Sequence, residues 1–425
     1  MGIHSRFGIR NSKLVHEAAT LVGGNVMAQA IALLAYLALT RIFSPSDYAL
    51  FNIFYSYIEV LIILSTCKYE LAVVVADDEK ESAAVAHFAL RLNTWISLAM
   101  LTVVAVLYLT GCLPGAFSQL GAISLLIPPM VFFCGTSRVY TALFNRVHRY
   151  KLIAASTTTN SAAGALLKIL FGLLGMHRTG LPLGAVLGQA ASNLLYRLRM
   201  RSLHLPKVTR EQRSEAARKH RNFPLYVATK DFVNSFSSNL PFLWLALYFE
   251  KAEVGLFALA LTFTFRPVNL LNTAFERVFY ARTAECVRER KSIGRMIGRF
   301  LLYLNLVALP VGVVGWLVAE PLFTFLFGGR WEGCGVYVQA LLPWVFMMLS
   351  STSLMFISNV FSTQRIEFCF YLVLLALRVA AIVVGIHAAD FLLAIRLYAA
   401  AGTLVAASLL VWYLLQVRRY ELSIK

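Results

Sequence analysis

The sequence predicts an all-α integral membrane protein, in which twelve transmembrane helices form two pseudo-symmetric six-helix lobes around a central cavity. Hydrophobic residues make up 59% of the 425 residues and charged residues only 14%. This leaves too little polar surface for a water-soluble protein of this length. Apolar runs of about 20 residues recur along the chain, and each can cross ~30 Å of hydrocarbon as a helix. Backbone groups in lipid must be hydrogen-bonded within the protein, so the runs favour helices.

Clusters of charged residues, proline and glycine divide the chain into twelve predicted segments. In chain order they cover residues 19–41, 48–75, 84–110, 119–142, 152–175, 180–200, 225–248, 253–280, 294–318, 335–360, 366–387 and 390–415. The longest hydrophilic stretch joins the sixth and seventh segments and reads RLRMRSLHLPKVTREQRSEAARKHR. The predicted organisation is therefore an N-terminal lobe at 1–203, a basic cytoplasmic linker at 204–224 and a C-terminal lobe at 225–425.

The two predicted lobes contain a similar hairpin. Residues 42–51 read IFSPSDYALF and residues 248–257 read YFEKAEVGLF, each between two apolar runs. At the same offset Glu70 aligns with Glu276. Both copies have the same orientation in the membrane, which predicts a parallel repeat with substrate bound between the halves. Chance similarity between apolar sequences is the alternative explanation.

Lysine and arginine are concentrated in alternate loops. The opposite set of loops carries only Arg41, Arg178, Lys251 and Arg330. By the positive-inside rule this asymmetry predicts that both termini are cytoplasmic. The net charge of +18 then reflects topology and attraction to anionic membrane lipids, rather than binding to nucleic acid. The basic N-terminus runs into a segment of spanning length, which predicts an uncleaved first helix.

Ionisable side chains inside the predicted helices are the candidate functional residues. A charged residue near the bilayer centre costs at least ~2.5–3.5 kcal/mol on insertion scales, so it usually faces a cavity or a partner. The candidate cavity cations are Arg266, Arg378, Lys168, Arg138, Lys230 and Lys68, and the candidate coupling or gating acids are Glu59, Glu70, Glu276 and Asp231.

Six of these candidates have a structural alternative. Lys68, Arg138 and Lys230 could extend to the lipid headgroups. Glu70 and Glu276 could bond to neighbouring basic groups at helix ends, and Glu59 could form a structural pair with an arginine. Arg266 and Arg378 lie too deep in their segments to reach the headgroups easily.

Several stretches carry a resemblance to a known family, and they occur in that family's order. They read TRIFSPSDYALFNIF, KYELAVVVADDEKESAAV, PVNLLNTAFERVFYARTAE, LFTFLFGGRWEGCGVYVQALLPWVFMM and ISNVFSTQRIEF. Together they resemble the bacterial polysaccharide flippases of the Wzx type, within the superfamily that also contains the MATE multidrug exporters. The resemblance implies a cavity that opens alternately to either side of the inner membrane. It also implies an oligosaccharide on undecaprenyl pyrophosphate as substrate, for O-antigen, capsule or exopolysaccharide.

Such a substrate suits the candidate residues. Arginine and lysine can bind pyrophosphate oxygens through charge-assisted hydrogen bonds. Amide side chains can bond sugar hydroxyls, with helix–helix hydrogen bonding as their structural alternative. These amides are Asn25, Gln29, Asn234, Asn239 and Asn269. A proton or sodium gradient is the expected energy source, with Glu59 as the first acid to test.

Enzyme motifs are missing from the sequence. HExxH, GxSxG and a phosphate-binding loop are absent, and the eight histidines have no metal-ligand spacing, so no catalytic residue, metal or cofactor is predicted. The six cysteines are interpreted as small apolar core residues, with a Cys112–Cys334 disulfide as the alternative.

Two other functions stay open. A MATE-like ion-coupled drug antiporter predicts an acid-rich cavity. A membrane-embedded polysaccharide polymerase or glycosyltransferase predicts large loops outside the membrane. The expected partners are membrane lipids, a polysaccharide polymerase and a chain-length regulator, and the expected oligomeric state is a monomer.

Overall fold

Apolar, helix-favouring segments form helices throughout the part of the chain that the structure describes. This computed structural model describes residues 23–24, 26–200, 206–361 and 363–424. The helices of the first part are α1 (Val26–Ile42), α2 (Pro45–Thr66), α3 (Tyr69–Val75), α4 (Glu79–Leu109), α5 (Ala116–Leu120), α6 (Ile127–Arg146), α7 (Tyr150–Leu173), α8 (His177–Met200), α9 (Arg210–Lys219) and α10 (Thr229–Tyr248). Those of the second part are α11 (Lys251–Arg288), α12 (Gly294–Phe327), α13 (Cys334–Thr352), α14 (Phe356–Val360), α15 (Gln364–His387) and α16 (Phe391–Ser423).

The prediction of a helical membrane protein is confirmed. Seven helical stretches are long and apolar enough to span a membrane, judged over the described residues by length and composition. They are Pro45–Thr66, Glu79–Leu109, Ala116–Arg146, Gly294–Phe327, Cys334–Ser358, Gln364–His387 and Phe391–Ser423. Each predicted segment from 48–75 onwards coincides with one helix or with consecutive helical stretches. In the first segment, α1 covers residues 26–41, and residues 19–22 and 25 lie outside the described part of the chain. The arrangement of twelve spanning helices in two lobes stays a prediction.

The chain divides into two compact units, Met1–Leu243 and Trp244–Lys425. The boundary lies within α10, so the first three-quarters of this helix belong to the first unit. The sequence placed the division earlier, at the basic linker 204–224, because that is where hydrophilic residues accumulate. The side chains of α10 that contact α2 are described with the candidate site.

Two predicted segments are interrupted in the structure. The second segment, predicted at 48–75, breaks between α2 and α3 at Cys67 and Lys68, whose φ angles are +47° and +62°. The tenth, predicted at 335–360, breaks between α13 and α14. Neither break contains glycine or proline, so hydropathy gave no signal for it.

The polar first turn of α4 makes this helix begin earlier than predicted. The third segment, predicted from residue 84, begins at Glu79 because the Asp78 side chain accepts a hydrogen bond from the backbone N–H of Glu81 (2.6 Å). Such a cap satisfies a free N–H of the first helical turn. The hydropathy pattern misses this turn because its residues are charged.

The repeated hairpin has a structural counterpart. α2 begins at Pro45 and α11 at Lys251, which is the offset seen in the sequence. Phe51 and Phe257, aligned at that offset, are both buried. The first copy alone has a capping box, in which Ser44 and Asp47 exchange hydrogen bonds. The two hairpins therefore share their chain position and a buried aromatic residue.

Small residues allow close helix packing in the first unit. α7 and α8 approach most closely where Gly188 meets Gly164, because a Cβ on Gly188 would lie 2.6 Å from the Gly164 Cα. Hydrogen bonds between polar side chains cross the same interface, from Asn160 to Gln189 (2.9 Å) and between the Ser156 and Ser192 hydroxyls (2.6 Å). These contacts fix the position of α7, which carries one of the candidate cations.

All six cysteines are free thiols. Cys334 is buried, whereas Cys112 and Cys369 are exposed. The interpretation of the cysteines as core residues is therefore wrong for these two. Cys369 lies on α15, where an apolar helix of a membrane protein can turn side chains towards lipid, and Cys112 lies in the loop between α4 and α5.

Candidate functional site: charged side chains within the two units

Three polar side chains on α10 recur at every fourth position, and each contacts either α2 or Lys68, which lies in the break between α2 and α3. Residues four apart lie on one face of a helix, so Asp231, Ser235 and Asn239 share a face. The carboxylate of Asp231 lies 2.6 Å from the ammonium nitrogen of Lys68. Ser235 donates to the backbone carbonyl of Glu59 (3.0 Å), and the Asn239 amide donates to the Glu59 carboxylate (2.9 Å). These five residues are called the α2–α10 seam.

Glu59 is the deepest acid of the seam. Its side chain is exposed although it lies well inside a spanning helix. Asn239 is buried and also donates to the carbonyl of Ser235 (2.9 Å). In the described part of the chain Glu59 forms no ion pair with an arginine, the alternative considered from the sequence. Glu59 thus combines accessibility at membrane depth with a neutral amide partner.

Lys68 occupies a strained position. It and Cys67 both have left-handed backbone conformations, which cost an L-residue with a Cβ roughly 1–2 kcal/mol each. The break turns the Lys68 side chain towards Asp231, and this side chain is only 16% exposed. Lys68 is therefore paired within the first unit, instead of extending to the headgroups.

Glu70 and Arg138 form a second, looser pair. Glu70 is buried on α3, and its carboxylate lies 3.9 Å from the Arg138 guanidinium on α6. This distance is too long for a hydrogen bond, so the contact is Coulombic. A buried acid beside a basic group matches the structural alternative for Glu70. The side chain of Glu276, its counterpart in the repeat, lies outside the described residues, as does all of Asn25.

Three further candidate cations lie apart from the seam. The Lys168 ammonium is 4.7 Å from the centre of the Phe51 ring, a cation–π distance. Gly184 makes room for this lysine, since a Cβ there would lie 2.6 Å from Lys168 Cγ. Lys230 is exposed at the start of α10, and Arg266 is half-buried on α11.

Arg378 is the most deeply buried candidate cation, at 5% exposure. Its guanidinium carbon lies 5.0 Å from the Trp344 ring centre and 4.6 Å from the Tyr398 ring centre. The two ring centres are 5.5 Å apart, with an angle of 82° between the ring planes. Two perpendicular aromatic rings, from α13 and α16, therefore form a corner that holds the arginine of α15.

One buried acid was missed from the sequence. Glu367 is 8% exposed and accepts a short hydrogen bond from the Ser358 hydroxyl. It lies at the start of α15 in the polar stretch STQRIEF. Nothing in the spacing of this stretch indicates that the break after α13 folds Ser358 onto it.

The basic linker also contributes a charged cluster. Lys219 donates to Asp77 (2.7 Å) and contacts Glu81 (2.8 Å), and these carboxylates hold the pKa of Lys219 above its usual range. His220 Nε2 lies 2.8 Å from Glu81. Tyr69 donates to the Ala217 carbonyl (3.1 Å). The linker helix α9 is thus bound to the start of α4.

No group of three or more histidine, cysteine or acidic side chains suited to a metal ion occurs among the described residues. The structure brings Lys68, Asp231 and Glu59 together, places Glu70 beside Arg138, and holds Lys168 and Arg378 against aromatic rings. It leaves Lys230 exposed and away from these contacts.

The sequence model of one protein family, described as polysaccharide biosynthesis protein, matches residues 38–336. No curated protein matches the chain in sequence.

Solved structures of transporters are similar over almost the whole chain. An inward-facing multidrug resistance MATE family transporter of the MOP superfamily has a TM-score of 0.72 at 14% identity, covering 92% of this chain and 95% of that chain. The lipid II flippase MurJ, in an inward closed conformation, has a TM-score of 0.73 at 12% identity, with 95% and 90% covered. A MOP superfamily transporter from Pyrococcus furiosus has a TM-score of 0.66 at 13% identity, with 95% and 96% covered. The chain therefore has a MATE-like fold.

Proposed function

Because the chain belongs to the polysaccharide biosynthesis protein family, we propose that it is a flippase for a lipid-linked oligosaccharide. The substrate in this proposal is an oligosaccharide on undecaprenyl pyrophosphate, used for O-antigen, capsule or exopolysaccharide. The transport mechanism is alternating access. The family match over residues 38–336 carries the proposal, and the MATE-like fold supports it.

The charges of the substrate explain why a flippase retains buried cations. Moving a pyrophosphate headgroup through hydrocarbon without compensation is prohibitively costly. Arginine can bind phosphate oxygens with two parallel hydrogen bonds, and lysine acts as a point charge. We assign headgroup binding to Arg266 and Arg378, with Lys168, Arg138, Lys230 and Lys68 as further candidates. The lipid tail can stay in the bilayer while the headgroup crosses.

The acids of the first unit are assigned to coupling and gating. Glu59 is the candidate for binding a proton or sodium ion, because it is accessible at membrane depth and has an amide partner. Asp231 is a candidate gating acid because it pairs with Lys68 at a helix break. Glu70 and Glu276 are the remaining candidates.

A MATE-like drug antiporter is the second candidate, because its fold is shared. It predicts a cavity dominated by acids, whereas the candidate side chains at membrane depth are mostly basic. A membrane-embedded polymerase or glycosyltransferase is a third candidate from the sequence, and the short outer loops argue against it.

The proposal includes a location and partners. In this proposal the chain lies in the bacterial inner membrane with both termini cytoplasmic, and its lysine and arginine distribution supports that orientation. It works as a monomer beside a polysaccharide polymerase and a chain-length regulator, which supply the next steps for the exported oligosaccharide.

Translocation of a lipid-linked oligosaccharide headgroup across reconstituted vesicles tests the function directly. Wild-type protein is expected to expose the headgroup to an external glycosidase, and Arg266→Ala protein is expected to lose this activity while remaining folded and inserted. Arg295→Ala, an exposed arginine at the start of α12, is the matched control and should retain activity. Absence of translocation by the wild type, or full activity of Arg266→Ala, contradicts the proposal.

A further inference from the structure

Arg378 carries a buried charge that no acidic side chain in the described part of the chain neutralises. In the described part of the chain no carboxylate forms an ion pair with it, and its buried Nε atom has no hydrogen-bond partner. Burying an unpaired charge is unfavourable unless another group compensates it. The environment of Arg378 therefore has to be explained by something other than an ordinary ion pair.

The nearest acid on the same face of α15 is too far away. Glu367 lies eleven positions earlier, which places it on nearly the same face but about 16 Å along the helix, at 1.5 Å per residue. Its carboxylate is already bonded to Ser358. An intramolecular neutralisation of Arg378 by Glu367 is thus excluded by distance in this structure.

The aromatic rings compensate only part of the charge. The ring centres of Trp344 and Tyr398 are only 5.5 Å apart, and they lie 5.0 and 4.6 Å from the guanidinium carbon, so both rings lie on one side of the guanidinium instead of enclosing it. Ring faces attract the cation, but they do not accept the N–H donors that lie in the guanidinium plane. A buried water could accept a hydrogen bond from Nε, yet it would leave the charge in place.

Packing keeps the two rings in position. Gly402 of α16 lies directly behind Trp344, because a Cβ on this glycine would be 2.7 Å from the indole ring. The ring centre of Phe265 on α11 lies 4.4 Å from that of Trp344. Tyr398 is 3% exposed. The aromatic corner is therefore preorganised, and it holds a guanidinium whose buried Nε has no hydrogen-bond partner.

We propose that Arg378, Trp344 and Tyr398 form an anion-binding site within the second unit, which takes a phosphate or carboxylate group through the guanidinium edge. Two oxygens of such a group match two parallel N–H donors of arginine. The existence of the site follows from the arginine's environment alone. Its assignment to the pyrophosphate of the transported lipid rests on the proposed function.

Binding can be measured without transport, on the purified full-length protein in detergent. Inorganic pyrophosphate is titrated while tryptophan fluorescence is recorded, since Trp344 lies beside the site. We expect a saturable change that Trp344→Phe removes. Arg378→Gln should abolish binding, and Arg378→Lys, which keeps the charge without the two-donor edge, should bind about 10-fold more weakly. Arg365→Gln is the matched control, because Arg365 is an exposed arginine on the same helix.

A second titration separates the sources of the anion. Micelles containing undecaprenyl pyrophosphate should compete with inorganic pyrophosphate if the site serves the transported lipid, whereas competition by orthophosphate alone indicates a site for free phosphate. The proposed anion-binding site is wrong if pyrophosphate does not change the fluorescence of the wild-type protein. It is also wrong if Arg378→Gln binds pyrophosphate as tightly as the wild type does. If the protein translocates headgroups although pyrophosphate does not bind at Arg378, the flippase function is correct and this binding site is not. Binding without translocation overturns the flippase function instead.

Discussion

The ammonium of Lys68 lies 2.6 Å from the carboxylate of Asp231, directly at the point where the second predicted membrane segment breaks. Lys68 and Cys67 have left-handed backbone angles there, although neither is glycine. The ion pair joins the break to the first turn of α10. Because both side chains are at most about one-third exposed, their attraction is screened less than that of a surface pair. The pair therefore helps to hold a backbone conformation that is unfavourable by itself.

Charge reversal tests this relationship. We expect Lys68→Asp or Asp231→Lys alone to destabilise the protein by about 1–3 kcal/mol, because each places two like charges in contact. The double variant Lys68→Asp/Asp231→Lys should recover most of the loss. The measurement is the apparent unfolding temperature of the purified protein in detergent.

The neighbouring lysine provides the control. Lys230 precedes Asp231 on α10 and is exposed, so Lys230→Asp changes the net charge as Lys68→Asp does without touching the pair. It should leave the unfolding temperature nearly unchanged. An equal loss in Lys230→Asp, or no recovery in the double variant, would show that the ion pair contributes little.

The bond between Asn239 and Glu59 predicts energetic coupling across the α2–α10 seam. Hydrogen bonds to charged groups contribute ~1.5–3 kcal/mol when buried, and the exposure of Glu59 lowers this. We expect a coupling free energy of about 1 kcal/mol between Asn239→Ala and Glu59→Ala in a double-mutant cycle on stability. Asn234→Ala is the control, because Asn234 is exposed on the same helix. Additive effects of Asn239→Ala and Glu59→Ala argue against the bond.

Close approach of α7 and α8 makes Gly188 sensitive to any side chain. The Cβ of Gly188→Ala would meet backbone atoms of Gly164 at 2.6–2.7 Å, and backbone cannot move aside as a flexible side chain can. We expect a loss of about 1–3 kcal/mol in stability. Gly298→Ala is the control, since no atom lies within 4 Å of its added Cβ, and it should be neutral or slightly stabilising. Similar unfolding temperatures for the two variants would contradict the close packing.

The linker helix α9 should loosen when Lys219 is removed. Lys219 binds Asp77 and Glu81, so Lys219→Ala is expected to speed hydrogen exchange in residues 210–219 by roughly 3- to 10-fold. The raised pKa of Lys219 means that its contribution is complete below the ordinary lysine value of ~10.4 and is lost only above it. The difference between wild type and variant should therefore stay constant from about pH 6 to 9.

Arg218 serves as the comparison for α9. It precedes Lys219 and is exposed, so Arg218→Ala should leave exchange in the helix unchanged. Faster exchange in Arg218→Ala than in Lys219→Ala, or a difference that disappears below pH 9, would show that other contacts hold α9.

Hydropathy predicts which parts of this chain are helical, because every spanning segment must bury its backbone hydrogen bonds. It does not predict side-chain partners, which depend on how helices rotate and approach. Lys68 and Asp231 are 163 positions apart in the sequence, and neither spacing nor composition connects them. Glu367 shows the same limit, since only the fold places Ser358 against it.

Local sequence signals and tertiary contacts also differ in strength. The start of α2 has a recognisable sequence signal, formed by the capping box of Ser44 and Asp47 and by Pro45 in the first turn. The break at Cys67 lacks such a signal and is held by distant contacts. Helix starts here thus carry a local sequence signal that the helix break lacks, although hydropathy alone placed the start of this segment at residue 48.

Membrane orientation gives the last prediction. Few basic residues occur in the loops on the side of Arg178 and Arg330, so these loops are assigned to the periplasm. Cys112 lies in one of them and is exposed, whereas Ser214 lies on α9 in the basic linker and is exposed. In otherwise cysteine-free variants, Cys112 should react with a membrane-impermeant maleimide once the outer membrane is opened. A cysteine from Ser214→Cys should react only after the inner membrane is permeabilised. The reverse pattern of labelling would invert the topology, and it would place the basic loops on the side of the membrane that the positive-inside rule disfavours.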